Sequence, residues 1–223
     1  MKILLFGATG MVGQGVLREC LLDPSVEQVL TVGRREAEQR HQKLRQFTVA
    51  NLFDLSPIEP ELAGLDACFF CVGVTSAGMQ ERDYIRLTYE LTMNVAQGLV
   101  KQNPSMTFIY VSGVGADSSE RGQTMWARVR GKTENALLAL PFKAKYVFRP
   151  AFIQPLHGIT SRTKLYRVLY AVAAPLYPLL KMLFPALVTT TEKVGKAMIH
   201  VAKAGAPKPI LETREINRLA ADS

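Results

Sequence analysis

The stretch from Lys2 to Gly13, KILLFGATGMVG, decides how this chain folds. Five apolar or long side chains run into Gly7, Gly10 and Gly13 follow at three-residue spacing, and apolar residues recur at helical intervals from Met11 to Leu22. That pattern reads as strand, tight turn and helix. Glycine is needed where such a turn takes unusual backbone angles, where the chain must approach a pyrophosphate, and where the helix presses on the strand. The start of the helix then presents unpaired N–H groups and a partial positive charge. Gly7, Thr9, Gly10, Met11, Val12 and Gly13 are accordingly candidate contacts of a dinucleotide.

Outward from that turn, further strands alternate with helical patterns. Val26 to Val32, Phe47 to Ala50, Ala67 to Val74, Thr107 to Ser112 and Lys145 to Arg149 read as strands. The unbroken apolarity of ACFFCVGV, from Ala67, suits a strand covered on both faces. Asp83 to Gln102 and Thr124 to Leu140 read as helices. A βα alternation over about 150 residues predicts an α/β fold with a doubly wound parallel sheet, a Rossmann fold. With 223 residues, 48% of them hydrophobic, the chain is expected to form one domain, 1–223, with its core in 1–150 and a small, mostly helical substrate-side region in 151–223.

The end of the second strand bears on the choice of nucleotide. An acidic residue there would accept hydrogen bonds from a ribose 2′-hydroxyl; this chain has Gly33-Arg34-Arg35. Two guanidinium groups suit a 2′-phosphate, so NADP(H) is the preferred cofactor and NAD(H) the possible one.

The net charge of +8, from 27 basic and 19 acidic residues, draws anions. The basic residues are scattered, which argues against a nucleic-acid surface. Cys20, Cys68 and Cys71 lack metal-ligand spacing and read as reduced core thiols, so no metal site is expected. The short apolar run before Gly7 does not make an export signal, and a cytoplasmic protein is the expectation.

Several segments together resemble the atypical short-chain dehydrogenase/reductases, close to the bacterial NAD(P)-binding epimerase/dehydratase-like proteins and the Tat-interacting oxidoreductase-like group. They are GATGMVG, VGRR, the Asn51 to Asp54 run NLFD, the Phe70 to Thr75 run FCVGVT, YVSGVGAD from Tyr110, RVRGKTE from Arg128, FRPAFI from Phe148, and Thr190-Thr191-Glu192. The resemblance implies that Leu52 and Asp54 lie near the adenine, and that Cys71, Val72, Gly73 and Thr75 run under the adenosine ribose and pyrophosphate. It further implies that Ser112 and Gly113 sit beside the nicotinamide, with Pro150 and Phe152 on its carboxamide side.

The departure from that family is at the catalytic pair, a tyrosine and a lysine four residues later on one helix. Here Trp126 stands where the tyrosine is expected and Arg130 where the lysine is expected. An indole N–H is no acid or base near neutral pH, and a guanidinium keeps its proton while still able to bind a ribose hydroxyl or phosphate. The alternative register, Arg128 and Lys132, supplies no tyrosine either, and Tyr84, Tyr89, Tyr110 and Tyr146 lack the helical spacing. Ser112, Trp126 and Arg130 are thus the candidate catalytic positions, with three explanations open. Another residue such as Ser112 or His157 handles the proton, water does, or the chain is a dinucleotide-binding sensor or interaction module without turnover.

The last informative stretch is VLYAVAAPLYPLLKMLFPALV, Val168 to Val188, broken by Pro175, Pro178 and Pro185. Prolines break helices, so this segment reads as short kinked helices walling an apolar pocket or a subunit contact. Tyr166, Tyr170 and Leu180 would then touch a small apolar substrate, and shallow insertion at a membrane surface is the weaker alternative. A monomer or a homodimer is expected.

Overall fold

The computed structural model describes residues 1–160, 184 and 186–222. The Val168 to Val188 readings, with Tyr166, Tyr170 and Leu180, therefore lie almost wholly outside the described residues.

Strand β1 (Lys2–Phe6) leads through the glycine turn into helix α1 (Met11–Leu22), and β2 (Gln28–Gly33) and β3 (Leu44–Thr48) follow. A 3₁₀ turn at Ser56–Leu62 precedes β4 (Ala67–Phe70). The next helical stretch has three parts: α2 (Glu81–Ile85), a π-helical turn (Arg86–Glu90) and α3 (Leu91–Gln102). Then come β5 (Thr107–Val111), α4 (Met125–Leu138), β6 (Ala144–Arg149), β7 (Phe152–Gln154), β8 (Val188–Thr190), α5 (Thr191–Ala204), β9 (Ile210–Glu212) and α6 (Thr213–Leu219).

The main sheet has seven strands in the order β3-β2-β1-β4-β5-β6-β9, every pair parallel. This is the doubly wound order, whose direction of winding reverses between β1 and β4; the crevice beyond the strand ends at that reversal is where such sheets take ligands. β4 pairs on both sides and all four of its side chains are buried, as its continuous apolarity requires.

Two cores clothe the sheet. One joins Ile3, Leu5, Phe69 and Ile109 to α1, α5 and α6 through Val16, Val194, Met198 and Ile216. The other joins Leu4, Phe6, Phe70 and Phe108 to the α3 and α4 side through Leu91, Val95 and Leu137. On that second face the rings of Phe6, Phe70, Phe108 and Phe142 follow one another at 5.4, 6.1 and 5.2 Å, and each such ring contributes roughly 1.5–3 kcal/mol of burial.

In the described part of the C-terminal region, α5 and α6 are joined by short strands. β9 adds the seventh strand beside β6, β7 pairs in parallel with β8, and α5 packs along α1. The thr-rich entry to α5 explains the close fit: a Cβ on Gly15 of α1 would come within 2.5 Å of the Thr191 Cβ. Thr190 caps α5 by accepting from the Lys193 amide, which fixes where the helix begins.

Candidate dinucleotide-binding site

A cavity of about 890 Å³ opens over the carboxyl ends of β1, β4 and β5, at the winding reversal. Its floor at one end is the glycine turn. Gly7 has φ +81°, and a Cβ there would lie 2.6 Å from the Cys71 carbonyl oxygen, so both conformation and contact demand glycine. Gly13 carries the third requirement of the turn: its Cβ would be 2.0 Å from the Gly7 oxygen, so the helix can rest on the strand end only without a side chain.

Gly10 is different, since its Cβ would point into open space but for the Gly7 oxygen at 3.3 Å. The Gly10 amide closes the turn on the Gly7 oxygen at 2.9 Å, and the first helical bond inside α1 runs from the Gln14 amide to the Gly10 oxygen at 2.8 Å. Among the described residues the amides of Met11, Val12 and Gly13 are therefore the free donors of the helix start. Gln14 Nε2 donates to the Thr9 oxygen at 3.1 Å and steadies the turn. A phosphate fits this cradle, which a side chain at Gly10 would fill.

Gly73 and Gly113, after β4 and β5, repeat the device: beyond bonded neighbours, a Cβ at either would meet only the Arg130 guanidinium, at 4.0 and 3.6 Å. Arg34 and Arg35 line the cavity at the end of β2, exposed and without hydrogen bond or ion pair among the described residues. No acidic residue is among the described residues that line the cavity. A smaller cavity of about 400 Å³ continues past Arg34, Leu52 and Val72 toward Phe53 and Arg86, an apolar slot with room for a flat ring. The Arg86 guanidinium lies 5.7 Å above the Phe53 ring at its edge.

Most of the residues singled out from the sequence come together here: Gly7, Thr9, Gly10, Met11, Val12, Arg34, Arg35, Leu52, Cys71, Val72, Gly73, Thr75, Ser112, Trp126, Arg130 and Pro150 all line the large cavity. Three do not. Asp54 is exposed and turned to its own chain, where Ser56 Oγ and the Ser56 amide donate to its carboxylate at 2.7 and 3.0 Å and hold its pKa below the usual range. Phe152 stands outside the lining because side chains alternate along β7, and its neighbours Ala151 and Ile153 take the cavity side. Gly13 acts from beneath, by the close approach described above.

Ser112 sits at the end of β5 with its hydroxyl engaged: Ser112 Oγ hydrogen-bonds Glu134 Oε1 of α4 in a short contact. Glu134 is fully buried and also takes Arg149 Nε, at 3.2 and 3.0 Å to its two oxygens, together with Arg149 Nη2. Burial works against the charge on Arg149, yet the Glu134 carboxylate outweighs it and raises its pKa. The Ser112 proton is thus committed below the cavity floor.

Trp126 lies over the next loop, its ring edge 3.3 Å from where a Cβ on Gly115 would be. Arg130, one turn further along α4, reaches between the ends of β4 and β5 and donates through Nε to the Tyr84 hydroxyl oxygen at 3.1 Å. Burial opposes the Arg130 charge, but Tyr110, Tyr84 and Glu134 together raise its pKa, so it stays cationic. Tyr110, behind it in β5, is pushed up to about 12 by burial, with Arg130 acting the other way.

Tyr84 lines the cavity although no sequence pattern marks it. In a regular helix Tyr84, Leu91 and Val95 would share one stripe, seven and four residues apart. The π turn between them holds an extra residue and slips the phase by about 100°. Leu91 and Val95 keep the core face, and Tyr84 turns toward α4 and the cavity.

The sequence pattern of the NAD dependent epimerase/dehydratase family matches residues 3–127. The chain belongs to that family. Among its relatives, the mitochondrial protein FMP52 of Eremothecium gossypii is 29% identical over 155 residues, 69% of this chain and 66% of that protein. Protein HTATIP2 of Rattus norvegicus is 27% identical over 155 residues, 68% of this chain and 62% of that one. The matches span just under two thirds of those relatives' own lengths.

Two solved structures show the same fold. A short chain dehydrogenase family protein of Francisella tularensis superposes with a TM-score of 0.66 at 13% identity, covering 95% of each chain. The Bordetella bronchiseptica enzyme WbmF, solved with NAD+, does so at 0.66 and 15%, covering 99% of this chain and 76% of that one. The cytoplasmic expectation is overturned by the FMP52 relatives, whose names place them in the mitochondrion; a short apolar N-terminus does not report on such a location. No helix among the described residues is long and apolar enough to cross a membrane.

Proposed function

We propose that this epimerase/dehydratase-family chain binds NADP(H) in preference to NAD(H) and reduces a small apolar carbonyl compound. The observation that carries the reading is the charge of the large cavity: Arg34, Arg35 and Arg130 line it and no carboxylate does among the described residues. A ribose 2′-phosphate brings about two negative charges, which an acidic residue at the end of β2 would repel and two free guanidinium groups accept. The bound cofactor would supply a hydride at the corner between Ser112 and Trp126. The chain's part there is to hold the pyrophosphate on the α1 amides and the ribose against Arg130, and to keep Ser112 fixed by Glu134.

The test is titration of the purified chain with NADPH and NADH, followed by bound-nucleotide fluorescence and calorimetry. Replacing Arg34 and Arg35 with alanine is expected to weaken NADPH by about 1.5–3 kcal/mol per lost charged hydrogen bond and to leave NADH nearly unchanged. Equal losses for both nucleotides defeat the NADP(H) preference.

Trp126 in the tyrosine position favours a second reading, a dinucleotide sensor without turnover, because its indole N–H is no acid or base near neutral pH. NADPH oxidation with a panel of aldehydes and ketones separates the two.

A further inference from the structure

We propose that Tyr84, carried by α2 from the opposite wall, gives the carbonyl oxygen its proton, with Arg130 as its electrostatic partner. The proposal rests on the oxidoreductase reading above and names the group which that reading lacks.

The cavity wall needs an acid that α4 does not provide. Among the described residues its aliphatic hydroxyls are those of Thr9, Thr75, Ser76 and Ser112; Ser112 is already committed to the buried Glu134, and Thr75 Oγ1 accepts from the Ala77 amide at 3.3 Å. Aliphatic hydroxyls are weak proton donors unaided. Tyr84 is the phenol in the wall, and its oxygen accepts from Arg130 Nε at 3.1 Å. Because the guanidinium has no lone pair to offer, the Tyr84 O–H proton is not spent on that contact. No acceptor for it is found among the described residues, and Tyr84, 1% exposed, borders the cavity, so the proton is left for an oxygen brought against it there.

Arg130 completes the arrangement. Its two terminal nitrogens face Gly113 and Gly73, at the ends of β5 and β4, while its Nε holds Tyr84. It cannot be the proton source, since a guanidinium keeps its proton. What it supplies is a fixed positive charge next to the phenol oxygen, which offsets the negative charge left when the proton departs. The π turn after Tyr84 serves the same end, by rotating this one residue off the core stripe and onto the cavity.

The step balances as follows. The carbonyl carbon takes the hydride supplied by the dihydronicotinamide and the C=O π bond breaks. The oxygen takes the Tyr84 proton, giving an alcohol and an oxidised nicotinamide. The phenolate beside Arg130 is reprotonated from water.

The test uses the whole chain labelled with ¹³C at the tyrosine Cζ. The Tyr84 signal is identified by its loss in Tyr84→Phe; it is expected to move in Arg130→Met and again when NADP+ is added to the unmutated chain. In parallel, NADPH oxidation is followed with hexanal, benzaldehyde and cyclohexanone. Tyr84→Phe should lower kcat on the order of 100-fold, the lower end of what a positioned acid contributes, with the NADPH Kd changed less than two-fold. A Tyr84 signal indifferent to both Arg130→Met and NADP+, or unchanged kcat in Tyr84→Phe, overturns the assignment while leaving the cofactor reading intact. Absence of NADPH binding by the unmutated chain defeats the cofactor reading itself, and this proposal with it.

Discussion

The cavity has two rims built in opposite ways. On the α1 rim the cavity-facing groups are backbone amides, and each glycine has an assignable reason to be there. On the α4 rim they are side chains, Trp126, Arg130 and, across from them, Tyr84. Both rims share one device. Gly13 of α1 presses on the Gly7 oxygen, and Gly131 of α4 presses on the Asp117 oxygen, where a Cβ would come within 1.7 Å. Backbone geometry thus anchors both helices, but only on the α1 rim does it also turn backbone amides toward the cavity. That leaves the α4 rim free to change its chemistry without losing its position.

The supports under the rims differ as well, which gives the largest expected effect. α4 is tied to β6 by Glu134 and Arg149, a fully buried carboxylate against a guanidinium whose side chain is 12% exposed. Arg149→Met leaves that carboxylate without its cation, and should cost about 3–5 kcal/mol in urea unfolding. Loss of less than about 1 kcal/mol would show that the α4 rim stands without the pair. Gly13→Ala tests the other rim. Its methyl group forces the turn off the strand end, with an expected loss of about 1–3 kcal/mol and NADPH binding weakened more than tenfold. If stability falls but NADPH affinity holds, the turn is merely structural.

The α1 rim was legible in the sequence, and so were Trp126 and Arg130 on the α4 rim, but the phenol across from them was not, for one physical reason. Glycine spacing reports backbone requirements, and those are local: β1, the turn and α1 occupy Lys2 to Leu22 as the pattern predicts. The partners of Arg130 are distant in the chain, and a single helix read over Asp83 to Gln102 keeps Tyr84 on the core stripe with Leu91. Only the π turn releases it, and no composition signal marks a π turn. Asp54, which the resemblance put near an adenine, departs for a related reason: Asp-Leu-Ser also makes a local turn, and Ser56 takes its carboxylate. β9 was missed because Ile210–Glu212 is three residues long, too short to show a period.

The smallest effect concerns how α1 is braced from outside. α5 packs on α1, and at its start Glu192 accepts from Lys196 Nζ at 2.6 Å and contacts His157 Nε2 at 2.8 Å. Glu19 and His157 reach the same place, with an acceptor or nitrogen of each within 4.8 Å of Glu192, and Arg18 lies against Glu19. Lys196 first and His157 second pull the Glu192 pKa from 4.5 down to about 2. A lowered folded-state value means that the contact stabilises fully above the unfolded value and is lost as pH falls through the folded one, so the window runs from about 4.5 down to about 2. Glu192 keeps 28% of its side chain exposed, so the contribution should not exceed about 1 kcal/mol. Glu192→Gln should therefore flatten the acid limb of the stability curve slightly in that window, in thermal melts taken at low salt. The buried Glu134–Arg149 pair should keep its effect at high salt, where the Glu192 contacts fade. Equal salt sensitivity of Arg149→Met and Glu192→Gln would erase the distinction between a rim braced at the surface and a rim braced from within.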